Sequence, residues 1–174
     1  MVLEAIKKRK SVRRYLNKKI PEDILKEIME AARLAPSTNN RQPWKFVIVQ
    51  DKELKQKVME ASLLHNRVQP FIAEASTIIA GCATNINHIM PNGVHSYPVD
   101  LAIALDHISL QAAELGLGTC WIGAFNQEKV KEIIHITDDA TVVCLMTLGY
   151  PAGDGFKSSR KPLDEIVCYN YFRE

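Results

Sequence analysis

A chain of 174 residues, 47% hydrophobic and 24% charged, has the size of one domain and enough apolar side chains to bury a core, which excludes a disordered chain. Lys and Arg number 22 against 20 Asp and Glu, and the basic residues are dispersed among acidic ones, so the net charge of +2 gives no sign of nucleic-acid binding. No apolar run reaches the roughly 18 residues of a membrane-spanning helix, and the opening Met1-Val2-Leu3-Glu4 has no apolar signal core, which predicts a cytoplasmic protein.

Residues 2–9 read as a short helix ending in the basic pair Arg9-Lys10. A second helix starts at Pro21, with Glu22 and Asp23 at its positive end and Ile24, Leu25, Ile28, Met29 and Ala32 at helical spacing, and Pro36 stops it. Residues 45–50 (KFVIVQ) predict a strand, 52–62 a helix, and 77–82 (TIIAGC) a buried strand. The stretch 86–98, with two Pro, a Gly and several Asn or Ser, reads as a loop. Residues 99–115 form a helix apolar nearly all round, the mark of an element buried in the protein or between subunits, and Gly116 and Gly118 end it. A short strand over 119–122, a helix over 127–134 capped by Asn126, and a strand over 141–148 follow, with an irregular tail from Tyr150 that holds a last apolar patch at 166–169. Two helices precede any strand. That order predicts an α+β sheet flanked by helices, one domain over 1–174, rather than a doubly wound fold.

Three segments carry chemistry. In Arg9-Lys10-Ser11-Val12-Arg13-Arg14-Tyr15, a solvated basic turn is the plain reading. Yet Arg9, Ser11 and Arg13 alternate, and in an extended segment they point to one side, where they could clamp a phosphate and a polar ring. Ala35 to Trp44 (APSTNNRQPW) is an ordinary turn by composition, but it is dense in amides and leads straight into a core strand, as a bound heterocycle requires. Gly116 to Phe125 (GLGTCWIGAF) lacks the spacing of a dinucleotide fingerprint and the lysine of a phosphate loop. Its Gly123 and Ala124 are small enough to bring backbone N–H groups against a ring edge.

Together with the late LGYPAGDGFKSSRKPLDEIV, the blocks RKSVRRY, APSTNNRQPWKFVIV and DLAIALDHISLQAAELGLGTCWIGAF occur in the order of the nitroreductase family, which this chain resembles over most of its length. The resemblance implies a nitroreductase-like sheet with the long helix at a homodimer interface and two FMN sites, each built from both subunits. It implies that Arg9, Lys10, Ser11 and Arg13 hold the flavin phosphate, ribityl chain and pyrimidine edge. Pro36, Ser37 and Asn40 of the partner would cover the ring, Gly123 and Ala124 would lie along it, and Arg160 and Lys161 would return to the phosphate. Asn66 would reach the pyrimidine edge. The implied activity takes hydride from NAD(P)H and reduces nitroaromatics, quinones or similar flat acceptors. The open alternatives are a flavin storage or sensor protein without turnover, and a flavin-cleaving or dehalogenating member of the same superfamily. At 174 residues the chain is short, with only the 86–98 loop where longer relatives place helices over the active site.

Other constellations are set aside. His65, His88, His95, His107 and His135 never pair at metal-ligand spacing, and no metal is expected. Cys82, Cys120, Cys144 and Cys168 are far apart and predict no disulfide; Cys120 reads as a buried, inert thiol. Asp100 and Asp106 lie in opposite phase on the long helix and form no carboxylate pair, and Asp100 and Glu114 are expected to pair locally.

Overall fold

The computed structural model describes residues 2–155 and 158–172; Phe156 and Lys157, inside the late sequence block, lie outside the described residues. In chain order the elements are α1 (Val2–Lys8), α2 (Glu22–Arg33), β1 (Trp44–Val49), α3 (Lys52–Glu60), β2 (Leu63–Leu64), β3 (Arg67–Val68), α4 (Phe71–Glu74), β4 (Thr77–Ala83), α5 (Ser96–Glu114), β5 (Gly118–Ile122), α6 (Gln127–Ile133) and β6 (Thr141–Gly149). Single 3-10 turns stand at Thr38–Asn40 and Leu163–Glu165.

Among the described residues, four strands form one sheet in the order β1-β4-β6-β5, every neighbouring pair antiparallel. That is the α+β arrangement the element order predicts. β4 is buried along its whole length, because helices cover both faces of the sheet. On one face α2 and α5 enclose Ile28, Ile79, Leu105, Ile108, Met146 and Leu148. On the other, α3, α4 and α6 enclose Val58, Ile72, Ile78, Val130 and Leu145. Each fully buried Ile or Leu contributes roughly 1.5–3 kcal/mol, so Ile78 and Ile79, pointing to opposite faces, bind both layers to one strand.

Several boundaries shift for identifiable reasons. α5 begins at Ser96, before the Pro98 taken as the end of the loop; proline is tolerated in a first helical turn, where its missing N–H has no partner to lose. The β2–β3 hairpin was not expected. Its tip residues His65 and Asn66 adopt φ of 50° and 61° without glycine, so the usual turn signature is lacking. The expected Asp100–Glu114 pair is corrected. Fourteen residues apart on one helix, they stand roughly 21 Å apart; Glu114 pairs instead with Lys8 at 3.2 Å, and Asp100 is turned inward against Thr38. Asn126 caps α6 as expected, accepting from Lys129 N. The apolar tail patch is open to solvent, with Tyr169 81% exposed.

The basic segment after α1 is fastened to the sheet. Ser11 bridges Thr119 in parallel, and Val12 N–H donates to the Thr119 carbonyl at 2.9 Å. Val12 lies over Gly118, where an added Cβ would meet Val12 Cβ at 2.8 Å and Pro151 Cγ at 3.1 Å. Tyr15 lies over Gly149 and donates to the Val12 carbonyl at 2.8 Å, with the Thr147 hydroxyl 2.7 Å away. Val12 and Tyr15 are buried while Arg13 and Arg14 between them are exposed. The inward residues are therefore three apart, and simple alternation ends at Val12.

Gly118→Ala should lower stability by about 1–3 kcal/mol, the usual size of an overpacked contact, in chemical denaturation; a wild-type midpoint would show that the segment is not pressed on β5. Burial raises the Tyr15 phenol well above its ordinary value, with the Thr147 bond offsetting part, and burial pushes the Cys82 thiol up to about 11. Groups raised in the folded state stabilise fully below their unfolded values and lose that contribution as pH climbs toward the folded ones. Urea midpoints should accordingly fall as pH rises beyond about 9, and less steeply above about 10 in Tyr15→Phe. An identical pH slope in that variant would exclude Tyr15 as a cause.

Candidate functional site

Docking of residues 9–16 leaves one side of the segment facing outward. There Lys7, Arg9, Lys10 and Ser11 line a hollow of about 430 Å³ whose far wall is Ser158 and Arg160. Cations from both ends of the chain thus converge, and a wall of this composition attracts an anion rich in oxygen acceptors. Arg160 is held by its own loop, its Nη1 donating to the Ser158 and Ser159 carbonyls at 3.2 and 3.1 Å and to Ser158 Oγ at 2.7 Å. Lys10 stands 4.0 Å from the fully exposed Asp154, a pair too open to matter much. Among the described residues the Arg9 guanidinium has no hydrogen-bond or ion-pair partner, although its backbone N–H donates to Ala5.

A second, smaller hollow of about 210 Å³ shares Arg9 and Ser11 and runs between α5 and β5, past Asp106, Ser109, Thr119, Trp121 and Met146. Ser109 Oγ donates to the Asp106 carbonyl at 2.9 Å and carboxylate at 3.1 Å, fixing the rim. Trp121, 44% exposed, is the aromatic wall. Neither Trp121 nor Ser109 was singled out from sequence. The signal was the period of two in β5, which turns Thr119 and Trp121 to the α5 face while Cys120 and Ile122 enter the opposite core. Cys120 is buried, its thiol raised by burial with partial relief from the Arg13 charge, so it is a poor nucleophile.

The other expected residues divide. Arg13 lines a separate hollow with Arg14, Gly153, Asp154 and Gly155, because the chain turns after Val12. Lys161 is exposed, one residue beyond Arg160, and does not line the cationic hollow. Gly123 and Ala124 follow β5 beyond Trp121; Gly123 is exposed with nothing within 4 Å of where a Cβ would sit, so its backbone is open to a flat group. Asn66 sits at the exposed tip of the β2–β3 hairpin.

Pro36, Ser37 and Asn40 lie on the α2–β1 connection and line neither cationic hollow of their own chain. This loop is unusual. Asn39, Asn40 and Gln42 have φ of 52°, 53° and 49°, a left-handed region costing roughly 1–2 kcal/mol per non-glycine residue. Hydrogen bonds maintain it: Ser37 Oγ accepts from Gln42 N at 2.9 Å, and Gln42 Nε2 donates to Asn40 O and Oδ1, each at 3.2 Å. Asp100 Oδ1 accepts from Thr38 N at 2.8 Å and Thr38 Oγ1 at 3.0 Å, anchoring the loop to α5.

Beyond this loop, α5 presents Val99, Ala102, Ile103 and His107 along an open, largely apolar strip. Helix residues of this kind ordinarily find cover.

The family model described as the nitroreductase family matches residues 6–150. A protein of Thermus thermophilus named NADH dehydrogenase is 29% identical over 93% of this chain and 92% of its own. Among solved structures, a nitroreductase family protein of Clostridium novyi is 36% identical, covers 87% of this chain and 85% of its own, and has a TM-score of 0.82. An FMN-dependent nitroreductase of Clostridium difficile is 27% identical, covers 98% of this chain and 99% of its own, and also has a TM-score of 0.82. The match runs from the last turn of α1 past the end of β6, including the docked basic segment and the glycines beneath it, and the chain belongs to the nitroreductase family of oxidoreductases.

Proposed function

We propose that the chain is a cytoplasmic, homodimeric FMN-dependent oxidoreductase that takes hydride from NAD(P)H and reduces nitroaromatics, quinones or similar flat acceptors. The observation that carries this reading is the meeting of Arg9, Lys10 and Ser11 with Arg160 around one hollow. An FMN phosphate bears nearly two negative charges and three strong acceptor oxygens, and the donor set fits it: a guanidinium without a side-chain partner among the described residues, an ammonium, a hydroxyl and a second guanidinium already oriented. Lys161, next in sequence, adds charge at the same approach.

Bound FMN supplies the electron chemistry, and the protein positions and tunes it. Arg13 would serve the pyrimidine edge as a planar guanidinium donor, and Asn66 would reach that edge from the hairpin tip. Gly123 and Ala124 offer backbone along the ring, since no side chain at 123 stands in the way. Pro36, Ser37 and Asn40 would cover the ring of a second copy, in keeping with their absence from the lining of the cationic hollows of their own chain. The apolar strip of α5 supports that dimer, since covering Val99, Ala102 and Ile103 removes apolar surface from water. The named activity of the Clostridium difficile neighbour, which aligns along nearly its whole length, supports the cofactor.

Purified protein should be yellow or take up FMN with quenching of flavin fluorescence. Arg9→Ala should raise the Kd roughly tenfold to a hundredfold, the size of one charge-assisted hydrogen bond. A colourless protein that ignores added FMN would end the reading. With flavin bound, initial rates at varied NADH and quinone should give parallel double-reciprocal lines; intersecting lines would mean that both substrates bind together. Ile103→Glu, which puts a charge on the open strip, should yield a monomer in sedimentation and weaken FMN binding together with it.

A further inference from the structure

Asp100 is 1% exposed, in a helix that otherwise turns Leu101, Ala104, Leu105 and Ile108 to the interior. Its Oδ2 is buried without a hydrogen-bond partner among the described residues. An unpaired carboxyl oxygen is costly to bury, and an apolar side chain would pack there at lower cost. What distinguishes Asp100 is the other oxygen. Oδ1 accepts two hydrogen bonds from one residue, Thr38, through its backbone N–H at 2.8 Å and its hydroxyl at 3.0 Å.

Thr38 is the third residue of loop 36–42, which cannot hold its shape cheaply. Asn39, Asn40 and Gln42 are all left-handed, and the bonds between Ser37, Asn40 and Gln42 close the loop on itself. The bonds to Asp100 relate it to α5. Thr38 Oγ1 also lies 3.9 Å from Met90 Sδ, in a tight turn where Gly93 N–H donates to the Met90 carbonyl at 2.8 Å. A thioether is a weak acceptor, so the single hydroxyl proton of Thr38 goes to the carboxyl group.

We infer that Asp100 is a positioning residue: the two bonds from its Oδ1 to Thr38 hold loop 36–42, and with it Ser37 and Asn40, in the shape that meets the flavin of a second copy. This rests on the flavin reading for its consequence and on the loop geometry alone for its cause. Asp100 touches no reacting atom. It acts through Thr38.

The test uses the full chain, with and without FMN. Arg41 is exposed within the loop, so tryptic cleavage after Arg41 reports its opening without any cofactor. In apoprotein, Asp100→Ala should be cut after Arg41 at least tenfold faster than wild type, with other sites unchanged. Asp100→Asn, which keeps an acceptor toward Thr38, should stay within threefold. In the loaded protein, Asp100→Ala should raise the FMN Kd at least tenfold and alter the visible circular dichroism of bound flavin, and Asp100→Asn should restore both. A residue that merely stabilises the fold would speed cleavage at every site alike and leave the Kd and the dichroism unchanged; that result overturns the inference. Should wild type itself refuse FMN, the flavin reading fails, while cleavage at Arg41 still decides whether Asp100 holds the loop. If Asp100→Ala does not fold, Thr38→Val, which loses the hydroxyl bond alone, should be cut three- to tenfold faster at Arg41, and wild-type cleavage there would equally overturn it.

Discussion

The hydrogen bond from Val12 N–H to the Thr119 carbonyl fixes the rest of the site. It lays Ser11 and Val12 alongside β5 through a single parallel bridge to Thr119, and the fold around it is arranged so that this contact can form. Gly118 leaves room for Val12, Gly149 leaves room for the Tyr15 ring, and the Tyr15 hydroxyl ties Val12 to Thr147 in the neighbouring strand. The docking then spreads to the end of the chain. Leu16 N–H donates to the Tyr150 carbonyl, and Ala152 N–H to the Arg14 carbonyl, each at 2.9 Å. The segment after β6 is therefore drawn along the same line that carries Arg9 and Lys10, and Arg160 arrives opposite them. Like charges separated by most of the sequence converge because backbone bonds and two small residues prepay their approach; nothing about the charges themselves would bring them together.

α5 solves a different problem. An element apolar nearly all round needs cover on every side, and one sheet can cover only part of it. Its inner residues Leu105, Ile108 and Ala112 pack beneath α2 and over Ile79, Met146 and Leu148, and Gly81 in β4 lets Leu105 Cδ1 approach to within 3.1 Å of where a Cβ would stand. Gly116, at φ 75°, ends the helix: its N–H donates to Ala113, and the Leu117 N–H turns back to Ala112 at 2.8 Å. That reversal sets Gly118 one residue later, under Val12. The same helix thus places the floor of the cationic segment at its C-terminal end and the anchor of the asparagine-rich loop near its start.

Local rules made the regular elements legible. Short, nearly continuous apolar runs rich in β-branched residues mark β4 and β6, and side-chain capping marks the start of α6 through Asn126. The family resemblance rests on blocks that the fold joins in space, which is why it carries further than any one motif. What escaped reading depends on distant partners. Nothing near Asp100 in sequence shows that Thr38 will meet it, and local pairing with Glu114 is the reading that helix neighbours invite. Arg13 parts from Arg9 and Ser11 because Tyr15 has a cavity to fill over Gly149, a fact of tertiary packing. The β2–β3 hairpin turns on His65 and Asn66, where glycine would have announced it.

The distribution of strain argues for what the molecule is built to hold. Left-handed non-glycine residues gather in loop 36–42, and an unpaired carboxyl oxygen lies buried at its anchor; strain and unmet hydrogen bonds of this kind persist only where surrounding structure over-determines them. The cationic hollow, by contrast, is relaxed: a segment in ordinary backbone, a guanidinium braced on the carbonyls of Ser158 and Ser159, and one guanidinium left open among the described residues. A phosphate can dock on a relaxed, charged wall because long-range attraction tolerates imprecision. A flat ring gains little from charge and needs groups set at fixed distances on both faces. The two halves of the proposed site differ in just this way, the rigid half standing on a loop that does not line the hollow of its own chain and the open apolar strip of α5 lying beside that loop's anchor. In the proposed dimer, a second copy seated on that strip would satisfy both demands at once, covering the helix and bringing a preformed polar roof to a cation-lined floor.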